Sequence, residues 1–158
     1  MKNFIFAFIL FALLLTVNAA PFKLNKRAIT FGTCKTASPT TGPVDLLDVK
    51  IGNDPPVSGK NESFDVSGTM TRLNITEMTF VMIKYYDTEG RLIDAYAQFF
   101  TEPIKAGTNF TISVPDVPTP NLPDKYEIRV TIEACIDDEP ICLNYVFACA
   151  SANVGGSS

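Results

Sequence analysis

From Val44 onward, apolar residues recur at every second position, and this limits what the chain can fold into. Side chains at i and i+2 share a face only on an extended strand. Turn residues break the pattern at short intervals, as in DPPVSG, DTEG and PTPNLPD, and no stretch keeps the three-and-four spacing of a long helix. Strands are predicted near 44–52, 62–70, 78–87, 91–100, 108–115, 126–136 and 140–149. About seven short strands separated by turns make an all-β, immunoglobulin-like antiparallel sandwich.

The same alternation assigns faces. Phe64 and Val66 point one way, and Gly68 continues that face without a side chain. Phe110, Ile112 and Val114 share a face and leave Asn109 and Thr111 outward. On the next strand, Tyr126, Ile128, Val130, Ile132 and Ala134 are inward, against an outer Glu127, Arg129, Thr131 and Glu133. The turn IDDEP returns the chain with Leu143, Tyr145 and Phe147 inward. In FVMIKYYD, Val81, Ile83 and Tyr85 compete with Phe80, Met82 and Tyr86 for the inside. A strand apolar on both faces is buried on both, or borders an opening that admits something apolar.

The first residues, MKNFIFAFILFALLLTVNAA, have the build of a cleaved secretory signal: Lys2, an apolar run from Phe4 to Val17, then small residues. The predicted layout is a signal at 1–20, a propeptide or arm at 21–33, one domain at 34–150 and a disordered tail at 151–158. A second cut after Lys26-Arg27 would start the mature chain at Ala28. No later apolar run reaches membrane-spanning length, so a soluble product is expected, secreted or held in the lumen of a vacuole or lysosome. Removing residues 1–27 leaves 9 basic and 17 acidic residues, a formal charge of −8. That charge disfavours nucleic acid and lasting attachment to anionic lipid.

Four cysteines in an exported chain, Cys34, Cys135, Cys142 and Cys149, read as two disulfides. The chain has no histidine and no Cys-x-x-Cys knuckle, so neither a metal ion nor a cofactor is expected. Asn61, Asn74 and Asn109 each head a glycosylation sequon and should face outward. Without histidine there is no Ser-His or Cys-His couple, and oxidised cysteines supply no thiolate. The one dense acidic cluster, Asp137, Asp138 and Glu139, falls in a turn, where carboxylates are solvated. An enzyme is not expected.

The ordered set VDLLDVKIGNDPPVSGKNESFDVSGTM, FVMIKYYD, LPDKYEIRVTIEA and PICLNYVF, opened by a cysteine, resembles the ML lipid-recognition domain. That family includes the Niemann-Pick type C secreted sterol carrier and, closest in pattern, the fungal phosphatidylglycerol/phosphatidylinositol transfer proteins. The resemblance runs from about Cys34 to Phe147. It implies two sheets that spread at one end and hold a sterol or phospholipid in an apolar cavity, in a monomer that touches membranes only in transit. The pocket would be lined by Phe64, Val66, Phe80, Met82, Ile83, Tyr85, Phe99, Phe100, Phe110, Ile112, Val114, Ile128, Val130, Ile132, Tyr145 and Phe147.

The resemblance also implies a Cys34–Cys142 bond, with Cys135 left for Cys149. The family's further cysteine pair is missing from DAYAQFFTEPIKAG. The strand register, in contrast, sets Cys135 opposite Cys142 and leaves Cys34 for Cys149. Both pairings stay open on sequence. So do two other functions: a recognition module with a filled core that binds a protein or glycan through its loops, and a structural or immune-interacting protein held by a receptor.

Overall fold

Among the residues that the computed structural model describes, 28–34, 43–135 and 144–155, the alternation resolves into eight strands and no helix. They are β1 Asp45–Leu46, β2 Asp48–Ile51, β3 Asn61–Thr69, β4 Thr79–Tyr86, β5 Leu92–Phe99, β6 Asn109–Pro118, β7 Tyr126–Cys135 and β8 Asn144–Val154. A five-stranded sheet has the order β1-β8-β7-β4-β5, and a three-stranded sheet the order β2-β3-β6. All neighbours are antiparallel except β1 and β8. The protein is an all-β sandwich. The signal segment, Lys26-Arg27, the IDDEP turn, Cys142 and Leu143 lie outside the described residues.

The single strand expected at 44–52 is two. Asp45 and Leu46 pair with Ala148 and Cys149 in the large sheet, while Asp48 to Ile51 pair with Ser67 to Phe64 in the small one. Leu47, between them, is buried in the core and carries the chain across. A corner of this kind lets one segment serve both sheets, and the alternation on either side of it is uninterrupted.

Bulges account for two further differences. β6 runs past its expected end because Asp116, at φ 56°, takes the left-handed conformation. The register with β3 shifts there, from Phe64 opposite Val114 to Glu62 opposite Val117. An extra residue resets the phase, so Val117 is buried like Val114. In β8 the register shifts between Ile132 and Glu133, whose partners are Ala148 and Val146, and Phe147 is the residue passed over. Beyond it the inward residues are Ala148, Ala150 and Ala152, opposite Ile132, Val130 and Ile128.

Residues at both margins belong to the fold. Ser151–Val154, expected in a disordered tail, continue β8 opposite Arg129–Tyr126. At the other margin, the arm pairs through Gly32 and Ser151, which exchange two backbone hydrogen bonds of 2.9 Å. Ile29 and Phe31 pack on the core, and Ile29 N donates to Asp54 Oδ2 at 2.7 Å, beside a cis Asp54-Pro55 peptide. The arm is bonded through Cys34–Cys149, which corrects the Cys34–Cys142 pairing and leaves no Cys149 for Cys135. The bulge explains the choice, since it turns Cys149 away from the core. Cys135 pairs in register with Asn144 rather than Cys142.

Candidate functional site

The space between the sheets is built by three strands of each. From the small sheet come Val49 and Ile51, Phe64 and Val66, and Phe110, Ile112 and Val114. From the large one come Val81, Ile83 and Tyr85, then Ile128, Val130 and Ile132, then Ala148 and Ala150. A side chain on Gly68 would bring its Cβ within 3.3 Å of Leu47 Cδ2 and 3.5 Å of Phe110 Cε1. That crowding is why the inward face of β3 ends without a side chain.

Of the expected lining residues, Phe64, Val66, Ile83, Tyr85, Phe100, Phe110, Val114, Ile128, Val130 and Ile132 lie in this core. Ile112 and Phe147 are half-buried against it, and Tyr145 is half-buried opposite Ala134. Phe80, Met82 and Phe99 are not part of it. With Val81, Ile83 and Tyr85 inward, Phe80 and Met82 take the other face, where Phe80 meets Phe99 at 5.2 Å between ring centroids. Phe99 is 55% exposed and nearby Met78 58%. The ambiguity of FVMIKYYD reflects a strand that is apolar on both faces in the middle of the large sheet.

That outer face also buries a charge. Glu133 is only 2% exposed, and its Oε1 accepts from Lys84 Nζ and Thr131 Oγ1, both at 2.6 Å. Sequence placed Thr131 and Glu133 outward, and so they are, but both are buried. A buried carboxylate is tolerated only when paired and hydrogen-bonded. Further along the same face, Arg129 pairs with Glu127 at 2.8 Å and stacks over Tyr86 at 4.5 Å.

Several polar groups gather at one end of the interior, while at the other the buried Thr79 Oγ1 accepts from Thr76 N at 3.1 Å. Glu62, 3% exposed, accepts from the Asn53 and Ser63 backbone N–H groups at 2.8 Å each. Tyr85 reaches this end from β4, and Thr119 from the residue after β6. The Thr119 backbone is pinned to the turn before β3, with its N–H donating to Lys60 O and its carbonyl accepting from Gly59 N. Burial pushes the Tyr85 phenol up to about 12, opposed by the Thr119 hydroxyl beside it and reinforced by the Glu62 and Asp94 carboxylates. Tyr126 is pushed up to about 12 as well, by burial first and then by Tyr85 and Asp54. Sequence reasoning found Tyr85 but missed Thr119 and Glu62. The spacing of Val117 and Thr119 was the available signal, hidden by the bulge at Asp116.

Beyond this end lies an open cleft of about 540 Å³, between Asp87–Ile93 on one side and Asn121–Lys125 on the other. Its apolar side chains are Ile93, Leu122 and Pro123. Arg91, on its rim, is held by Asp87 at 2.7 Å and Glu89 at 3.1 Å. Leu122 N donates to Ser58 Oγ at 3.0 Å, which fixes the second wall to the DPPVSG turn. The three sequon asparagines, Asn61, Asn74 and Asn109, are all exposed. No protein-family model matches the chain, and no curated protein and no solved structure is detectably similar to it.

Proposed function

We propose that this chain is a lipid carrier of the ML lipid-recognition kind, holding the apolar part of a sterol or phospholipid between its two sheets. The observation that supports it is the interior itself. Two separate sheets, with no ladder joining them among the described residues, face each other through apolar side chains, and the buried residues of β8 facing the interior are the small Ala148, Ala150 and Ala152. Sheets joined by packing rather than by backbone hydrogen bonds separate without breaking a ladder. The ordered motifs from Cys34 to Phe147 support the same reading.

The energetics favour tail burial as the source of affinity. Each methylene removed from water contributes ~0.8 kcal/mol, so a sixteen-carbon chain gains roughly 13 kcal/mol before ordering costs. An exposed ion pair with a headgroup adds about 0 to 1 kcal/mol. The Cys34–Cys149 bond suits an oxidising compartment. In this reading the compartment is outside the cell or in a vacuolar lumen, and the exposed asparagines carry glycans.

Mass spectrometry of an organic extract of natively purified protein tests the proposal. A stoichiometric sterol or phospholipid is expected, together with faster movement of that lipid between vesicles than in a protein-free control. An empty extract and no transfer would overturn the carrier reading. The cleft between the 87–93 and 121–125 segments would then favour the alternative, a module that recognises a protein or glycan through its loops.

A further inference from the structure

Among the described residues, the buried polar side chains divide into two groups. Glu62, Thr79, Thr131 and Glu133 all have hydrogen-bond partners. Tyr85 Oη and Thr119 Oγ1 have none, although their residues are only 1% and 4% exposed. Buried hydroxyls without partners are uncommon, and each calls for an explanation. Here the two come from opposite sheets and stand at the same end of the interior, near enough for Thr119 to act on the Tyr85 phenol. They do not bond to each other. The cleft walls continue from the strand ends that carry them, Asp87 two residues beyond Tyr85 and Asn121 two residues beyond Thr119.

We propose that Tyr85 and Thr119 form a paired-hydroxyl site for the alcohol group of a neutral lipid, reached from the cleft between residues 87–93 and 121–125. This rests on the carrier reading and names the guest chemistry that reading leaves open. An alcohol oxygen donates one hydrogen bond and accepts another, and each side-chain hydroxyl can do either. One guest hydroxyl placed between them therefore satisfies both. The Glu62 and Asp94 carboxylates act on the Tyr85 oxygen in the sense that disfavours negative charge there. A carboxylate or phosphate guest would meet the same field, and a neutral alcohol would not. The phenol, held up at about 12, keeps its proton and remains a donor.

The test uses full-length, lipid-stripped protein and three probes with the same sixteen-carbon chain: hexadecanol, hexadecyl methyl ether and palmitate. Affinity is read at neutral pH by displacement of a fluorescent alkyl probe. Hexadecanol is expected to bind about tenfold more tightly than the ether or palmitate, the step one lost hydrogen bond makes. Thr119→Val and Tyr85→Phe, each close in shape to the native residue, should bring the alcohol down to the level of the ether and leave the ether unchanged. Thr119→Ser, which keeps the hydroxyl, should retain the preference and guards against misreading a folding defect. Equal binding of alcohol and ether would overturn the proposal, leave the carrier reading standing and assign the two hydroxyls to a bound water only. Tighter binding of palmitate would overturn it as well. Failure to bind any of the three probes would remove the carrier reading and this site together.

Discussion

The two ends of the sandwich interior are closed by different chemistry. At one end Phe100 meets Phe110 edge to face, with centroids 5.8 Å apart and planes at 80°, and Met70 and Ile75 are buried in the loop that follows β3. At the other end the large side chains are Tyr85 and Tyr126, joined by Thr119 and Glu62. The side chains at both ends are buried. A phenylalanine ring is satisfied by packing alone, whereas a buried tyrosine must also place its hydroxyl. Under the carrier reading, the phenylalanine end is a seal and the tyrosine end is where a guest with one polar atom would find a counterpart.

Truncation at the seal is the strongest way to test this contrast. Phe110→Ala removes a buried ring from beside Phe100 and Gly68, and is expected to cost ~3–5 kcal/mol by denaturant titration. A much smaller loss would show that the phenylalanine end is loosely packed. Replacing Cys34 and Cys149 together by serine releases the arm from β8 across a separation of 115 residues. A loss of ~2–4 kcal/mol is expected, because the bond limits the freedom of the unfolded chain. The same midpoint in reduced wild type would confirm that this bond alone is responsible.

Val130 lies between the two ends, opposite Ile83 on one side and Ala150 on the other. Under the carrier reading, Val130→Trp occupies guest volume, so lipid binding should fall while the melting temperature of stripped protein holds. A filled core would instead lose ~1–3 kcal/mol, and unchanged binding with that loss would remove the middle of the interior from the proposed cavity. Tyr85→Phe should change stability by less than about 0.5 kcal/mol, since it deletes a hydroxyl that has no partner to lose. A loss above about 1 kcal/mol would show that the hydroxyl is bonded in the empty protein. The smallest effect concerns Asp87, whose carboxyl lies below the usual range chiefly through the Arg91 backbone N–H, then the Arg91 side chain. Its contribution is present above the ordinary aspartate range and is lost as pH falls through the lowered value. Asp87→Asn should thus lower the melting temperature slightly at neutral pH and not in strong acid.

Much of the sandwich was legible because its strands obey strict alternation. Phe64 and Val66, the set Phe110, Ile112 and Val114, and the inward row from Tyr126 to Ala134 all sit where the period of two puts them. What alternation does not encode is a change of backbone. Leu47 turns the chain from one sheet to the other, and Asp116 and Phe147 each insert a residue, all without disturbing the apolar pattern on either side. Phe80 and Met82 were misplaced for another reason: a strand apolar on both faces leaves its phase to its neighbours. Thr119, in a proline-rich segment past the expected end of β6, could be found only once the bulge was known.

The order of strands in the large sheet has a consequence for biogenesis. β8, the last strand in sequence, does not sit at a margin but between β1 and β7, with the arm bonded to it at Gly32 and Cys34. Until β8 has been made, the β7 edge has no neighbour on that side and the arm lacks its Ser151 and Cys149 partners. The contacts of the arm and β1 with β8 are thus among the most distant in sequence, which slows their formation. An emerging chain therefore waits with an unpaired strand edge, the kind that recruits other chains. That edge stays open until the last strand closes it.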